Sequence, residues 1–180
     1  MLPRVHKGRG ATLNPEGRFE RFDRTPVDDG WGSLEALAEA PGPTTQVLPD
    51  HARTIIARND SPDIPFDQSI NPYRGCEHGC VYCYARPSHG HLGLSAGLDF
   101  ETKIFVKADA AGLLKQELAR PGYVCKPISL GANTDPYQPL ERRLRITRRI
   151  LELLAEARHP VGIVTKSDLV TRDIDLPIGL

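Results

Sequence analysis

"NPYRGCEHGCVYCYARPSH", residues 71–89, is the stretch from which the rest of the chain is read. Three of the four cysteines, Cys76, Cys80 and Cys83, stand there within eight positions in the spacing C-x3-C-x2-C. Three thiols cannot all pair as disulfides, and three ligands leave a tetrahedral metal one partner short. Gln68–Ile70, just before, is a short strand candidate, so the thiols are expected on a loop that leaves a strand. Gly75 and Gly79 permit tight backbone turns within that loop.

Downstream, "KIFVK" (103–107) is a compact β-prone run. "ADAAGLLKQELA" (108–119) carries Leu113, Leu114 and Leu118 at helical spacing, with Asp109 placed as a cap. "PISLGANT" supplies an apolar run at 128–130. "LERRLRITRRILELLAEAR" (140–158) sets Leu140, Leu144, Thr147, Ile150 or Leu151, and Leu154 on one face, the clearest helix in the chain. "VGIVTKS" gives a further strand at 161–165. This alternation predicts an α/β fold with a parallel sheet, crossover helices and strands buried on both faces. In such folds the chemistry gathers at the C-terminal strand ends, so the cysteine loop, "ANTDPYQP" and "KSD" are expected at one end of the sheet.

Residues 1–65 read differently. "GRGATLNPEGRFERFDRTPVDDGWG" and "EAPGPTT" are rich in Gly, Pro and charge, with one short helix candidate at 33–40. They predict an extended, loop-rich arm ahead of a core from residue 66 to 180. The 23 basic and 23 acidic side chains balance, so net charge gives no argument for nucleic acid or an anionic membrane. No run approaches the roughly 20 apolar residues that span a bilayer, and the N-terminus lacks the apolar stretch of a secretory signal. The cytoplasm is the expected compartment, where clustered cysteines serve as metal ligands more often than as disulfides.

Several readings fit the cysteines. A structural zinc site would take His78, His89 or His91 as a fourth ligand, but zinc modules usually present paired C-x2-C hooks and a second pair is missing. A redox pair at Cys80 and Cys83 leaves Cys76 unexplained. An iron–sulfur cluster tolerates close spacing and leaves one iron exposed when three thiolates bind. C-x3-C-x2-C with Tyr82 before the last cysteine resembles the cluster loop of radical S-adenosylmethionine enzymes. The wider text "SINPYRGCEHGCVYCYARPSH", "GLDFETKIFVK", "TDPYQPLE" and "TKSDLVTRDIDL" is similar to the subgroup related to spore photoproduct lyase, over roughly residues 66–176.

That resemblance implies a partial (β/α) barrel and a [4Fe–4S] cluster held by Cys76, Cys80 and Cys83. S-adenosylmethionine completes the fourth iron and, on reduction, yields a 5′-deoxyadenosyl radical that abstracts hydrogen from substrate. It implies Tyr82 beside the adenine, and Thr134 and Asp135 near the methionyl amino group, where a Gly-Gly-Glu-like segment is usual and Asn133, Thr134 and Asp135 stand instead. Lys166 is expected at the cosubstrate carboxylate, and Ser167 at the carboxylate or ribose. An electron donor such as flavodoxin or ferredoxin, and a nucleic-acid substrate, are the implied partners.

Plainer readings stand beside these. Tyr82 also reads as a core aromatic, 131–141 as a turn, and Ser167 or Asp168 as a helix cap. Arg74, Glu77 and His78 read as loop-surface residues, and His89 and His91 as within reach of a substrate. The arginines of "ERRLRITRR" read as a solvated helix face rather than a nucleic-acid stripe, and Cys125 as a buried thiol. About three βα units are counted where a full barrel of this type has about six, so the chain is expected to be truncated or a half-barrel. The alternatives to a DNA-lesion lyase are a non-catalytic fragment with a structural zinc or cluster, and a radical enzyme modifying RNA or a peptide.

Overall fold

A computed structural model describes residues 8–16 and 44–176. The helix candidate at 33–40 lies outside them. The described residues fall into two compact units, each discontinuous in sequence: 8–16, 44–46 and 75–104 in one, 47–74 and 105–176 in the other. The fold is mixed α/β. Its strands are β1 (Gln46–Pro49), β2 (Ile56–Arg58), β3 (Gln68–Ile70), β4 (Tyr73–Arg74), β5 (Lys103–Val106), β6 (Ile128–Leu130) and β7 (Val161–Ile163). Its α-helices are α1 (Leu98–Thr102), α2 (Ala110–Leu118), α3 (Glu141–Leu144) and α4 (Ile146–Glu156). No helix among the described residues is long and apolar enough to cross a membrane.

The unit of residues 47–74 and 105–176 carries a four-stranded sheet in the order β2-β3-β6-β7. β3, β6 and β7 run parallel and β2 runs antiparallel to β3. β3 and β6 match the expected runs, with Gln68, Ser69, Ile70, Ile128 and Leu130 buried, whereas β7 ends at Ile163 and, at the sheet edge, buries only Val161. α2 packs against α4, and Leu114, Ile150, Leu151 and Leu154 are fully buried. A fully buried side chain of this kind contributes roughly 1.5–3 kcal/mol. Among the described residues this sheet is open, with β2 and β7 at its edges.

Three expectations need correction here. "KIFVK" does form a strand, but β5 joins a separate three-stranded sheet, β1-β5-β4, antiparallel to β4 with Tyr73 opposite Val106 and Arg74 opposite Phe105. β3 therefore takes β6 as its parallel neighbour. Next, β1 and β2 lie inside the region read as an extended arm; Ile55 and Ile56 are buried, and their amides donate to the buried carboxylate of Glu117 on α2. Finally, Asp109 occupies the N-cap position of α2 without a capping hydrogen bond from its side chain.

The helix expected over 140–158 breaks at Arg145, whose φ is 50°. The cause is Glu141. Its carboxylate is fully buried and accepts from the amides of Ile146 (2.9 Å), Thr147 (3.0 Å) and Arg148 (3.3 Å). These are first-turn donors of α4 that no helical carbonyl can satisfy. Capping them from the preceding turn requires the chain to fold back, and Arg145 takes up that reversal. Glu141 also accepts from Tyr73 Oη and Arg172 Nη2. Burial first, and then the charge and hydrogen bond of Glu141, push the Tyr73 hydroxyl far above its ordinary range.

Arg142, Arg143, Arg145 and Arg149 are exposed, as expected of a solvated face. Arg148 is not of that kind. It bonds Glu152, Asp173 and Asp175, tying the 3-10 helix Asp168–Asp173 to α4, while Arg172 of that 3-10 helix pairs with Glu141 at the start of α3. Cys125 is exposed rather than buried, because 121–127 form an irregular, largely exposed connection ahead of β6. Glu141→Ala is expected to lower unfolding stability by about 3–5 kcal/mol, since it removes the buried acceptor of three helix amides and the Tyr73 hydroxyl and one of the two carboxylates that pair with Arg172. Glu152→Ala, removing a partly exposed partner of Arg148, should change stability by about 0.5 kcal/mol or less. Equal urea midpoints for the two variants would contradict this assignment.

Candidate functional site

The cysteine loop is built from consecutive tight turns. Gly79 N donates to Cys76 O (3.3 Å), Cys83 N to Cys80 O (3.2 Å) and Arg86 N to Cys83 O (3.4 Å), leading into the 3-10 helix Arg86–Leu92. Gly75 and Gly79 have φ of 82° and 64°, which an L side chain rarely adopts. Cys76 is buried with Ala85 and Phe100, and Cys83 packs against them. None of the four cysteines is in a disulfide. Val81, Tyr82 and Tyr84 are 71%, 82% and 75% exposed, so Tyr82 is not a core aromatic.

One arginine organises this loop. The Arg86 guanidinium donates to the carbonyls of Cys80 (2.9 Å), Gly79 (3.0 Å), Ala96 (3.2 Å) and Gly97 (3.2 Å), and pairs with Glu101. Its carbon lies 5.3 Å from the centroid of the Phe100 ring. Glu101 is fully buried and accepts from the amides of Arg9 (3.0 Å), Gly10 (3.1 Å) and Ala11 (2.6 Å). The segment "GRGAT" thus belongs to the loop. A Cβ on Gly10 would lie 1.7 Å from Gly79 O, so only glycine permits that approach. Arg9 Nη2 also reaches Thr45 Oγ1 (2.6 Å) and Glu77 Oε1 (3.3 Å), and Thr45 donates to Glu77 (2.7 Å).

Two loop expectations change accordingly. Glu77 is buried in an ion pair with Arg9 rather than lying on the surface. His89 is fully buried; its Nε2 meets Lys103 O at 3.0 Å, which makes it the donor there, and its ring stands edge-on to Phe100. It is a core histidine, remote in role from a substrate contact. His91 is exposed.

The other expected residues come together at the ends of the parallel strands. Ile70, Leu130 and Ile163 are in register, with Gly131 N bonded to Ile70 O and Val164 N to Leu130 O, both at 3.0 Å. The following residues 71, 131–135 and 164–167 therefore share one edge. Gly131 has φ 86°, and a Cβ there would lie 2.4 Å from Pro136 Cδ and 2.6 Å from Val164 O. Asn71 Oδ1 accepts from Asn133 N (2.8 Å) and Thr134 N (3.4 Å). Asp135 accepts from Tyr137 N (2.8 Å), Thr165 Oγ1 (2.7 Å) and Lys166 N (3.0 Å). Thr134 is buried, with its hydroxyl given to Tyr73 O (2.7 Å). Ser167 caps the 3-10 helix, its Oγ accepting from Leu169 N (3.3 Å). The Lys166 residue is exposed. Turn and cap hold, and the expected convergence holds for 131–135 and 164–167; the cysteine loop belongs to the other unit. Asn71, Arg86 and Glu101 went unnoticed because a polar side chain that bonds distant backbone carries no local sequence signal.

The donor types a [4Fe–4S] cluster would need are present as three cysteines, none in a disulfide, on one eight-residue loop of successive turns, with Cys125 outside it. Among the described residues, however, no three His, Cys, Asp or Glu side chains stand together as a ready metal-holding group. A cluster held here would require the three sulfurs to be brought together. Sulfurs gain nothing from mutual approach until a metal neutralises their thiolate charge.

Over 113 residues the chain is 43% identical to "Uncharacterized protein Rv2578c" of Mycobacterium tuberculosis, covering 63% of this chain and 33% of the relative. "Uncharacterized protein Mb2609c" of Mycobacterium bovis gives the same figures. "Uncharacterized protein MJ0683" of Methanocaldococcus jannaschii is 34% identical over 112 residues, covering 59% of this chain and 38% of that protein. The chain spans about a third of the length of the curated relatives it matches. No family model matches it. No solved structure matches it either.

The loop's charge pair makes stability pH-dependent. Burial raises the Glu101 pKa, but the Arg86 guanidinium and the Gly10 and Ala11 amides outweigh it and hold the carboxyl below the ordinary range. A folded pKa below the unfolded value of about 4.3 contributes stability above that value, lost as pH falls through the folded pKa. Asp173 has the same sign: burial is outweighed there by Arg172, Arg148 and Tyr137. Melting temperature is therefore expected to drop as pH is lowered below about 4. Glu101→Gln should lower it at neutral pH, by roughly 1–3 kcal/mol in stability, and shrink the acid loss. An unchanged pH slope in that variant would contradict the pairing.

Proposed function

We propose that this chain is the cysteine-bearing part of a radical S-adenosylmethionine enzyme, built on a partial (β/α) barrel, and that Cys76, Cys80 and Cys83 hold a [4Fe–4S] cluster. The observation that carries the reading is C-x3-C-x2-C on a loop of successive turns, none of whose three cysteines is in a disulfide. The resemblance to the spore photoproduct lyase subgroup suggests the chemistry: a reduced [4Fe–4S] cluster held there would supply the one electron that parts S-adenosylmethionine into methionine and a hydrogen-abstracting 5′-deoxyadenosyl radical.

This chain's residues then bind and orient. Three thiolates leave one iron for the cosubstrate. The exposed Tyr82 ring offers a flat apolar face for the adenine. At the strand ends, the ammonium of Lys166 suits a carboxylate, while Asp135, Thr134 and Ser167 fix the turns that carry it. Their hydroxyl and carboxylate groups are held by local hydrogen bonds, so they act chiefly by shaping the backbone. DNA carrying a lesion is the substrate class the subgroup suggests; RNA or a peptide is the alternative within the same chemistry. A flavodoxin or ferredoxin in the cytoplasm would supply the electron.

The second reading is a non-catalytic metal staple. Anaerobic reconstitution with iron and sulfide distinguishes the two. The account expects about four irons per chain and a brown protein, lost in Cys76→Ala, Cys80→Ala or Cys83→Ala and retained in Cys125→Ala. A colourless protein holding one zinc would overturn it.

A further inference from the structure

Arg86 stands three residues beyond the last loop cysteine, and the C-x3-C-x2-C spacing does not call for it. Yet its five contacts gather Gly79, Cys80, Ala96, Gly97 and Glu101, five positions spread over 23 residues of chain, into one arrangement. Two of the carbonyls it holds belong to the loop itself, one of them to a cysteine. We infer that Arg86 is the positioning residue of the cysteine loop: its guanidinium fork fixes the backbone that bears the thiols, and Glu101 is its counter-charge. The inference rests on the reading of this loop as the metal-binding one.

The physical argument has two parts. A loop without regular structure must be ordered before it can hold a metal, and ordering it beforehand removes that cost from binding. Arg is suited to this because its planar fork presents five donors in fixed directions; a Lys ammonium has three donors at one point and cannot span these carbonyls. Glu101 is equally specific. Its oxygens take Arg86 and the amides of Arg9, Gly10 and Ala11, so the buried guanidinium is neutralised in place and residues 9–11 are fastened beside the loop. An electron added to a metal centre in this loop would sense both members of the pair, with opposite sign.

Amide hydrogen exchange on the metal-free chain and the reduction potential of the reconstituted chain test the assignment. Arg86→Lys and Arg86→Gln are expected to exchange about tenfold or more faster at the Gly79 and Cys83 amides, the loop's own turn donors. The Gly131 and Val164 amides, in the parallel sheet, should be unchanged. Glu101→Gln keeps an acceptor oxygen and removes the charge, so its cluster potential should rise, whereas that of Arg86→Gln should fall. Wild-type exchange in Arg86→Lys would overturn the positioning role, and potentials shifted in one direction by both neutral variants would overturn the counter-charge role. Should Arg86→Gln fail to fold, loss of protection at Gly131 and Val164 reveals it, and Arg86→Lys and Glu101→Gln decide. A wild-type chain that takes up no iron would sink the proposed function, while exchange at Gly79 and Cys83 would still judge Arg86.

Discussion

The pair of Arg86 and the buried Glu101 is the constraint on which the cysteine loop depends. An arginine and a carboxylate removed from water are tolerated when hydrogen bonds meet the rest of their donors and lone pairs. Here the guanidinium reaches four main-chain carbonyls besides Glu101, and the carboxylate takes three main-chain amides besides Arg86. Every one of those partners lies in irregular chain. The pair thus performs for this unit what a hydrogen-bond ladder performs for a sheet, giving loops, turns and the segment at residues 9–11 a common anchor.

The other unit uses the same device. Glu141 is buried, accepts three amides at the start of α4, and is neutralised by Arg172. Arg172 also pairs with Asp173, which in turn takes Arg148 and the hydroxyl of Tyr137. A carboxylate that collects backbone N–H groups and is balanced by an arginine recurs because short helices and long connections leave many amides without helical or sheet partners. Asp135 repeats the pattern on a smaller scale at the strand ends, accepting from Tyr137, Thr165 and Lys166 across two loops.

What the sequence disclosed was what period and composition encode. Gln68–Ile70 and Ile128–Leu130 are strands at the expected residues, Val161–Ile163 ends two residues early, and Ala110–Leu118 sits inside the expected helix. Their in-register ends bring 133–135 and 165–167 together, as strand-end logic requires. Pairing was not legible: "KIFVK" is a strand by propensity, but its sheet is chosen by neighbours far along the chain. Nor was the break at Arg145, because an apolar face at steps of three and four looks the same whether a buried Glu interrupts it or not. Cys125 and Glu77 exchanged their expected burial, since a hydrophobicity scale sees neither the irregular connection around the first nor the Arg9 partner of the second.

The central claim is that three thiolates leave one iron of the cluster for a small molecule. Electron–nuclear double resonance of the reduced, reconstituted chain with S-adenosylmethionine labelled at its amino nitrogen and carboxylate oxygens tests it most directly. The account predicts hyperfine coupling from both labels, showing that they ligate the open iron. Absence of both couplings in a chain carrying an intact cluster would contradict it.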